Sequence, residues 1–389
     1  MHDSLSIRGP ATAWLVITAR TRVRMRVVPD KDISPRTRKR LWLRSGGTCA
    51  YPGCPVELLE PTPDGGDETI VGIECHIVSR KDDPSVARSV SSLSDDARLQ
   101  FAHLIENRHG FENLVIMCPT HSRLVDTPAQ DRSVAWMVKV KASHEAAVAA
   151  RKSPGDLQRE ADVLWYLGIT EEWESRARLD AWEHWVGPLV ADGHPHMTQA
   201  DFDALTETRN WIFTRTWPQA IPEVEDAFEN FRHVAQDLQG VLSQHPHKHL
   251  QEQGVVAIAR FYNDSRYWGS GDEEPDFQRL DDMYDFYAFL VEDLAYELTR
   301  AANLICHLVR RHLLPDYRAA EGVLTLTAGP FIEDLTIRTA RPAYAADAGS
   351  APYEGLDGFL EGRAGRDIVR GSGGRPRGVR LPGDSVWGA

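Results

Sequence analysis

Two hydrophobic periods run along this chain and exchange places near residue 150. Before it, short apolar segments of strand type alternate with turns. After it, apolar residues recur three and four apart over many turns. Ser34-Pro35 opens a helix, pairing a capping hydroxyl with a proline suited to the first turn. That helix carries Arg36, Arg38, Lys39, Arg40 and Arg44, packs through Leu41, Trp42 and Leu43, and stops at Gly46-Gly47. An acidic loop over Glu57–Glu68 precedes Thr69–Val78, whose alternating Ile and Val predict a strand bearing His76. Lys81–Val90 reads as a loop, Ser94–Ile105 as a short helix capped by Ser94, and Leu114–Met117 as a short strand. Further helices are expected to begin over His121–Val125 and to cover Ser133–Ala150.

Lys152-Ser153-Pro154-Gly155 reads as a linker into a second, helical region from Asp156 to about Leu314. Its clearest helical periods are Phe228–Leu242 and Met283–Leu313, with a polar loop over Asn263–Asp276. The Trp and Phe stripe there reads as packing. Val323–Thr327 and Leu335–Thr339 predict two strands joined through Gly329-Pro330, and the composition beyond Ala346 predicts disorder. The expected layout is a flexible segment 1–30, a domain 31–150, a helical domain 156–345 with a small hairpin, and a disordered tail 346–389. No internal repeat is present.

The net charge of −13 is unevenly spread. Residues 1–150 hold 20 Lys and Arg against 18 Asp and Glu, a balance of +2, so the remainder carries −15. The acidic second part therefore offers no broad basic surface, while the first part leaves room for a local anion site. No apolar run reaches the roughly 18 residues of a spanning helix. Ala11–Ala19 is apolar but short, lacks a basic lead and is followed by four arginines, unlike a secretory signal. A cytoplasmic chain with no membrane partner is expected, with either Met1 or Met25 as its start.

Five cysteines do not make an even secreted framework. Cys49 and Cys54 in CAYPGC, with Cys118 and His121 in CPTH, supply three thiols and an imidazole for a closed tetrahedral zinc site. Cys75 and Cys306 read as small buried residues. His76 in TIVGIECHIVSR and Asn113 in FENLVIMCP lie between the two pairs.

These words, with RTRKRLWLRSGG before them and WMVKVKASHE after, resemble the HNH (ββα-metal) endonuclease family over about Pro35 to Glu145. The resemblance implies an α+β, zinc-stapled ββα-metal fold with a structural Zn²⁺ and a catalytic Mg²⁺ or other divalent cation. It implies that His76 is the general base activating water, a task suited to a neutral imidazole. It implies that Asn113 orients that base or pins its loop. Two family ligands for the catalytic cation are replaced here: Ser122 stands where a histidine follows the zinc-binding one, and Cys75 where an aspartate precedes the base. Asp126 on the helical face of Ser122, Glu74 on the strand face of His76, and a water held by Ser122 are the reachable substitutes.

The function expected is hydrolysis of DNA phosphodiester bonds, as in restriction or bacterial defence by architectural analogy. Arg36, Arg38, Lys39, Arg40, Arg44, Arg80, Lys81 and Arg123 are candidate backbone contacts. The helical domain is expected to sense, regulate or assemble, including as a homo-oligomer. A zinc-stapled nucleic-acid-binding scaffold without cleavage is the main rival. An RNA-cutting nuclease would use the same residues.

Overall fold

The computed structural model describes residues 33–60, 69–127, 132–190, 194–268, 274–329 and 337–363. The first segment, the Met1 or Met25 start, most of the Glu57–Glu68 loop and the tail from 364 onward lie outside them. The described chain is helix-rich, with four small two-stranded antiparallel sheets.

Helix α1 (Pro35–Ser45) is capped by the Ser34 hydroxyl, which accepts from Thr37 N at 3.2 Å, and ends at Gly46 in the left-handed conformation, φ 58°. Strands β1 (Leu59–Glu60) and β2 (Thr69–Ile70) pair with each other. The single strand expected over Thr69–Val78 is therefore broken: β3 (Ile73–His76) turns to a different partner. Gly72 sits at the break, where a Cβ would come within 2.5 Å of the Trp42 ring, so glycine permits the close packing of α1. Short helices α2 (Asp95–Gln100) and α3 (Ala102–Glu106) follow, with Ser94 capping α2 as its sequence suggests.

Strand β4 (Leu114–Met117) pairs antiparallel with β3, in the register Ile73↔Met117, Glu74↔Ile116, Cys75↔Val115 and His76↔Leu114. Helices α4 (Pro119–Asp126) and α5 (Val134–Ala149) close this part. All four β4 residues are buried, and Leu41, Val125, Met137 and Val140 join them in one hydrophobic cluster.

A second cluster fills the helical part. It comprises α6 (Pro154–Arg176), α7 (Trp182–Val186), β5 (His196–Thr198), α8 (Gln199–Phe213), α9 (Pro222–Gln244), α10 (Lys248–Glu252), β6 (Val255–Ala257) and α11 (Phe277–His312). Helix α11 has 36 residues and runs about 54 Å at 1.5 Å per residue. Trp173 lies edge-on between Phe228 and Phe231, and Trp182 donates its indole N–H to Thr299 at 3.2 Å, so these aromatics pack as expected. β7 (Leu326–Ala328) and β8 (Arg338–Ala340) pair antiparallel, and β5 pairs with β6.

Two further sequence expectations need correction. The Lys152–Gly155 linker is a helix start: Ser153 and Asp156 form a reciprocal capping box, and Pro154 occupies the first turn. Lys152 donates to Leu43 O at 2.6 Å and to Glu160 at 2.7 Å, binding the junction to α1. Residues 346–363, expected within a disordered tail, are folded onto the helical part. Helix α12 (Gly355–Gly362) buries Phe359 and Leu360, and Arg363 beyond it, 2% exposed, donates to Asp293 of α11 at 2.6 Å. Arg363→Ala removes a buried ion pair with Asp293 and is expected to cost about 3–5 kcal/mol in urea unfolding, while the apolar pair Arg363→Met with Asp293→Leu recovers part of it. Equal stability of the single variant and the parent would show that α12 is only loosely docked.

Candidate metal centre and the neighbouring histidine

Cys49 and Cys54 flank a tight turn closed by Cys54 N donating to Tyr51 O at 3.0 Å, with Gly53 at φ 74°. Ala50 N donates to Ile116 O at 3.1 Å, which ties this knuckle to β4. Cys118 caps the end of β4, and His121 stands in the first turns of α4. The knuckle and the β4–α4 corner thus meet. The three sulfurs and one ring nitrogen all lie within 4.8 Å of one another. Nδ1 of His121 is 3.2 Å from Cys118 Sγ and 3.6 Å from Cys49 Sγ, and Cys118 N donates to Cys49 Sγ at 3.3 Å. Tyr51 stacks flat on the His121 ring at 4.0 Å and 2°, fixing its plane.

Three soft thiols and an imidazole in a buried corner could hold a metal ion such as zinc. Burial pushes the Cys49 thiol up to about 12, so as a bare thiolate it is unfavourable there. A divalent cation supplies the charge that reverses this preference. Among the described residues no other group of three or more His, Cys, Asp or Glu is placed to hold a metal.

His76 lies at the other end of the β3–β4 hairpin, opposite Leu114. Its ring meets that of His109 edge to face, centroids 5.5 Å apart at 89°. Sequence reading passed over His109, because an isolated histidine in a polar loop carries no pattern. Asn113 is fully buried and does not face the imidazole through any of its bonds. Its Oδ1 accepts from Val78 N at 2.7 Å, and its Nδ2 donates to Val78 O at 3.0 Å and Arg108 O at 2.9 Å. Ile77 N donates to Asn113 O at 2.8 Å. Of the two roles expected for Asn113, pinning the loop is the one these bonds perform.

Arg88 was also unforeseen. It adopts a left-handed φ of 57° and is 7% exposed. Its guanidinium donates to Ile77 O at 2.9 Å, His76 O at 3.3 Å, Val125 O and Asp126 Oδ1 at 3.2 Å. One buried cation therefore binds the end of β3 to the end of α4. Nothing in a loop sequence distinguishes such an arginine from a solvated one.

The residues proposed for a catalytic cation are otherwise engaged. Glu74 forms a forked pair with Arg38, Nε to Oε1 2.7 Å and Nη2 to Oε2 3.3 Å. Asp126 is paired with Arg88, and the buried Ser122 hydroxyl donates to Pro119 O at 3.0 Å. Cys75 is buried, and desolvation raises its thiol far above the ordinary value, aided by Asp126. With each of these donors engaged elsewhere, the set does not fit a divalent cation beside His76.

The basic residues separate into two groups. On α1, Arg38 is taken by Glu74, Arg40 lies over Phe111 at 3.7 Å and 3.8 Å from Glu112, and Arg44 is 3.2 Å from Glu160. The Arg36 guanidinium packs against Gly168 of α6, and Lys39 is half-buried. Arg80, Lys81 and Arg123 are exposed. The α1 row thus faces the protein as much as solvent.

The chain matches no family model, no curated protein and no solved structure.

Purified protein is expected to carry one zinc per chain by elemental analysis and to release it as pH falls, since thiols and imidazole take protons in place of the ion. Cys118→Ser should lose the metal and lower the melting temperature, and metal-free protein of parental stability would remove the site. Asn113→Ala leaves one amide and two carbonyls without their partner and is expected to cost about 3 kcal/mol or more, at roughly 1–3 kcal/mol per group. Urea unfolding measures this loss, and a change below 1 kcal/mol, on the same scale, would discard the pinning role.

Proposed function

We propose that residues 33–150 form an HNH-type nuclease module in which a zinc-stapled hairpin presents His76 to a nucleic-acid phosphodiester, DNA first. The observation that carries the reading is the way His76 is held. Asn113 grips the backbone of Val78 and Arg88 grips the carbonyls of His76 and Ile77, so both hold the strand end by its main chain. A rigid frame with a reactive tip is what a general base needs, since misplacement by an ångström costs rate steeply.

In this reading neutral His76 takes a proton from the attacking water as its oxygen bonds to phosphorus, the bond from phosphorus to the leaving sugar oxygen breaks, and solvent returns a proton to that oxygen. His109, at 5.5 Å, is the nearest second imidazole to share proton transfer or contact the phosphate. No step is assigned to a divalent cation, because Glu74, Asp126 and Ser122 are committed elsewhere. The same commitment favours a second reading, a zinc-stapled nucleic-acid-binding scaffold that does not cut. An imidazole pair without a cation also suits RNA, whose own 2′-hydroxyl can serve as the nucleophile. The acidic helical part then regulates or assembles.

Supercoiled plasmid and structured RNA, each incubated with the zinc-loaded full chain with and without added Mg²⁺, Mn²⁺ or Ni²⁺, test the three readings together. Cleavage by the parent and a loss of about 10²–10⁴-fold in His76→Ala are expected. Cutting that His76→Ala leaves unchanged would discard the assignment, and binding without cutting would establish the scaffold.

A further inference from the structure

A cleft of about 690 Å³ lies on the far side of the zinc knuckle, between the turn Thr48–Pro55 and helix α5. Its size falls in the ordinary range of small-ligand sites. Trp136, Lys139, Val140 and Ser143 line one wall at helical spacing, and Tyr51 and the two prolines Pro52 and Pro55 line the other. Arg151 and His144 stand at one end.

Three features of this cleft point to a ligand. Its lining holds Lys139, Arg151 and His144 and contains no Asp or Glu, in a chain whose net charge is −13. Lys139 and Arg151 are exposed, and among the described residues neither has a carboxylate within ion-pair distance, unlike Arg38, Arg40, Arg44, Lys141 and Lys152. Its aromatic surface is also set rigidly. Trp136 meets Tyr51 at 5.8 Å and 60°, and Tyr51 is itself fixed by stacking on His121. His144 donates Nε2–H to Ser45 O at 2.9 Å, which holds that end of the wall.

We propose that this cleft binds a single-stranded polynucleotide, with a base stacked against Trp136 and adjacent phosphates on Lys139 and Arg151. Unpaired cations beside a rigid aromatic face are the two parts such a site requires: charge that follows the backbone and a surface that accepts any base. An acidic peptide would use the cations and leave the aromatic wall idle. The proposal rests on the nuclease reading and deepens it by giving the strand a path along the zinc knuckle. It also explains why the α1 arginines are free to be spent on internal pairs.

Anisotropy of dye-labelled oligothymidylate and oligouridylate, titrated with the full chain over a range of salt, tests the site. Lys139→Ala with Arg151→Ala is expected to weaken binding and to reduce the slope of log K against log salt by about 1.4, two cations at about 0.7 each on a single strand. Trp136→Leu should weaken binding by about 5- to 150-fold and leave the salt slope unchanged. Binding of either oligonucleotide that responds in these two ways supports the cleft. Both exposed cations can be removed without disturbing the core, and zinc content checks that the knuckle stays intact. Parental affinity and slope in the double variant, or no binding of single strands by the parent, would overturn the proposal. His76→Ala should bind like the parent, so a loss of cutting in that variant with normal binding by the cleft variants would spare the nuclease reading and remove the cleft alone.

Discussion

The convergence of Cys49 and Cys54 with Cys118 and His121 is the constraint on which the rest of the N-terminal part depends. These residues come from a turn and a strand–helix corner far apart in sequence, yet their ligand atoms lie within 4.8 Å. The hydrophobic cluster around β4 is small, and the hairpin it supports has only four residues in each strand. A metal ion binding such a group contributes folding free energy directly, because the site does not exist in the unfolded chain. Burial also disfavours bare thiolates there, so charge and packing both call for a cation in the same corner.

At the opposite end of the hairpin, order is imposed by hydrogen bonds. Asn113 and Arg88 satisfy the backbone of residues 76–78 from two sides, one with an amide and one with a guanidinium. The guanidinium bridges β3 to α4 and takes up Asp126 as well. This arrangement anchors the strand end at His76 and engages the Asp126 carboxylate. Strain accompanies it, since Arg88 holds a left-handed φ that residues with a Cβ seldom adopt.

The two hydrophobic clusters meet across a polar seam. Arg36 N donates to Glu171 at 2.9 Å, and Glu160, only 5% exposed, gathers Arg44 and Lys152. A seam of ion pairs fixes relative position at modest net stability, because desolvation offsets much of the attraction. Helix α1, the most basic helix among the described residues, is thereby turned partly inward. Lys139 on α5 and Arg151 just beyond its end are left to face solvent.

Local chemistry settled much of this before any tertiary contact formed. Ser34-Pro35 and Gly46-Gly47 bound α1, the apolar run Leu114–Met117 is the strand it resembles, and the Cys-Cys and Cys-His spacings mark the residues that gather into a group able to hold a metal. Each depends on neighbours within a few residues, which a sequence displays. The sequence could not show that the Thr69–Val78 run divides between two sheets, that Lys152–Gly155 starts a helix in contact with α1, or that residues 355–362 dock on the core. Nor could it show that Glu74, Asp126 and Ser122 would find other partners, or that Arg88 and His109 would close on His76. Those outcomes turn on which side chain reaches an opposite charge or a bare carbonyl first in space, and only the folded chain fixes those distances.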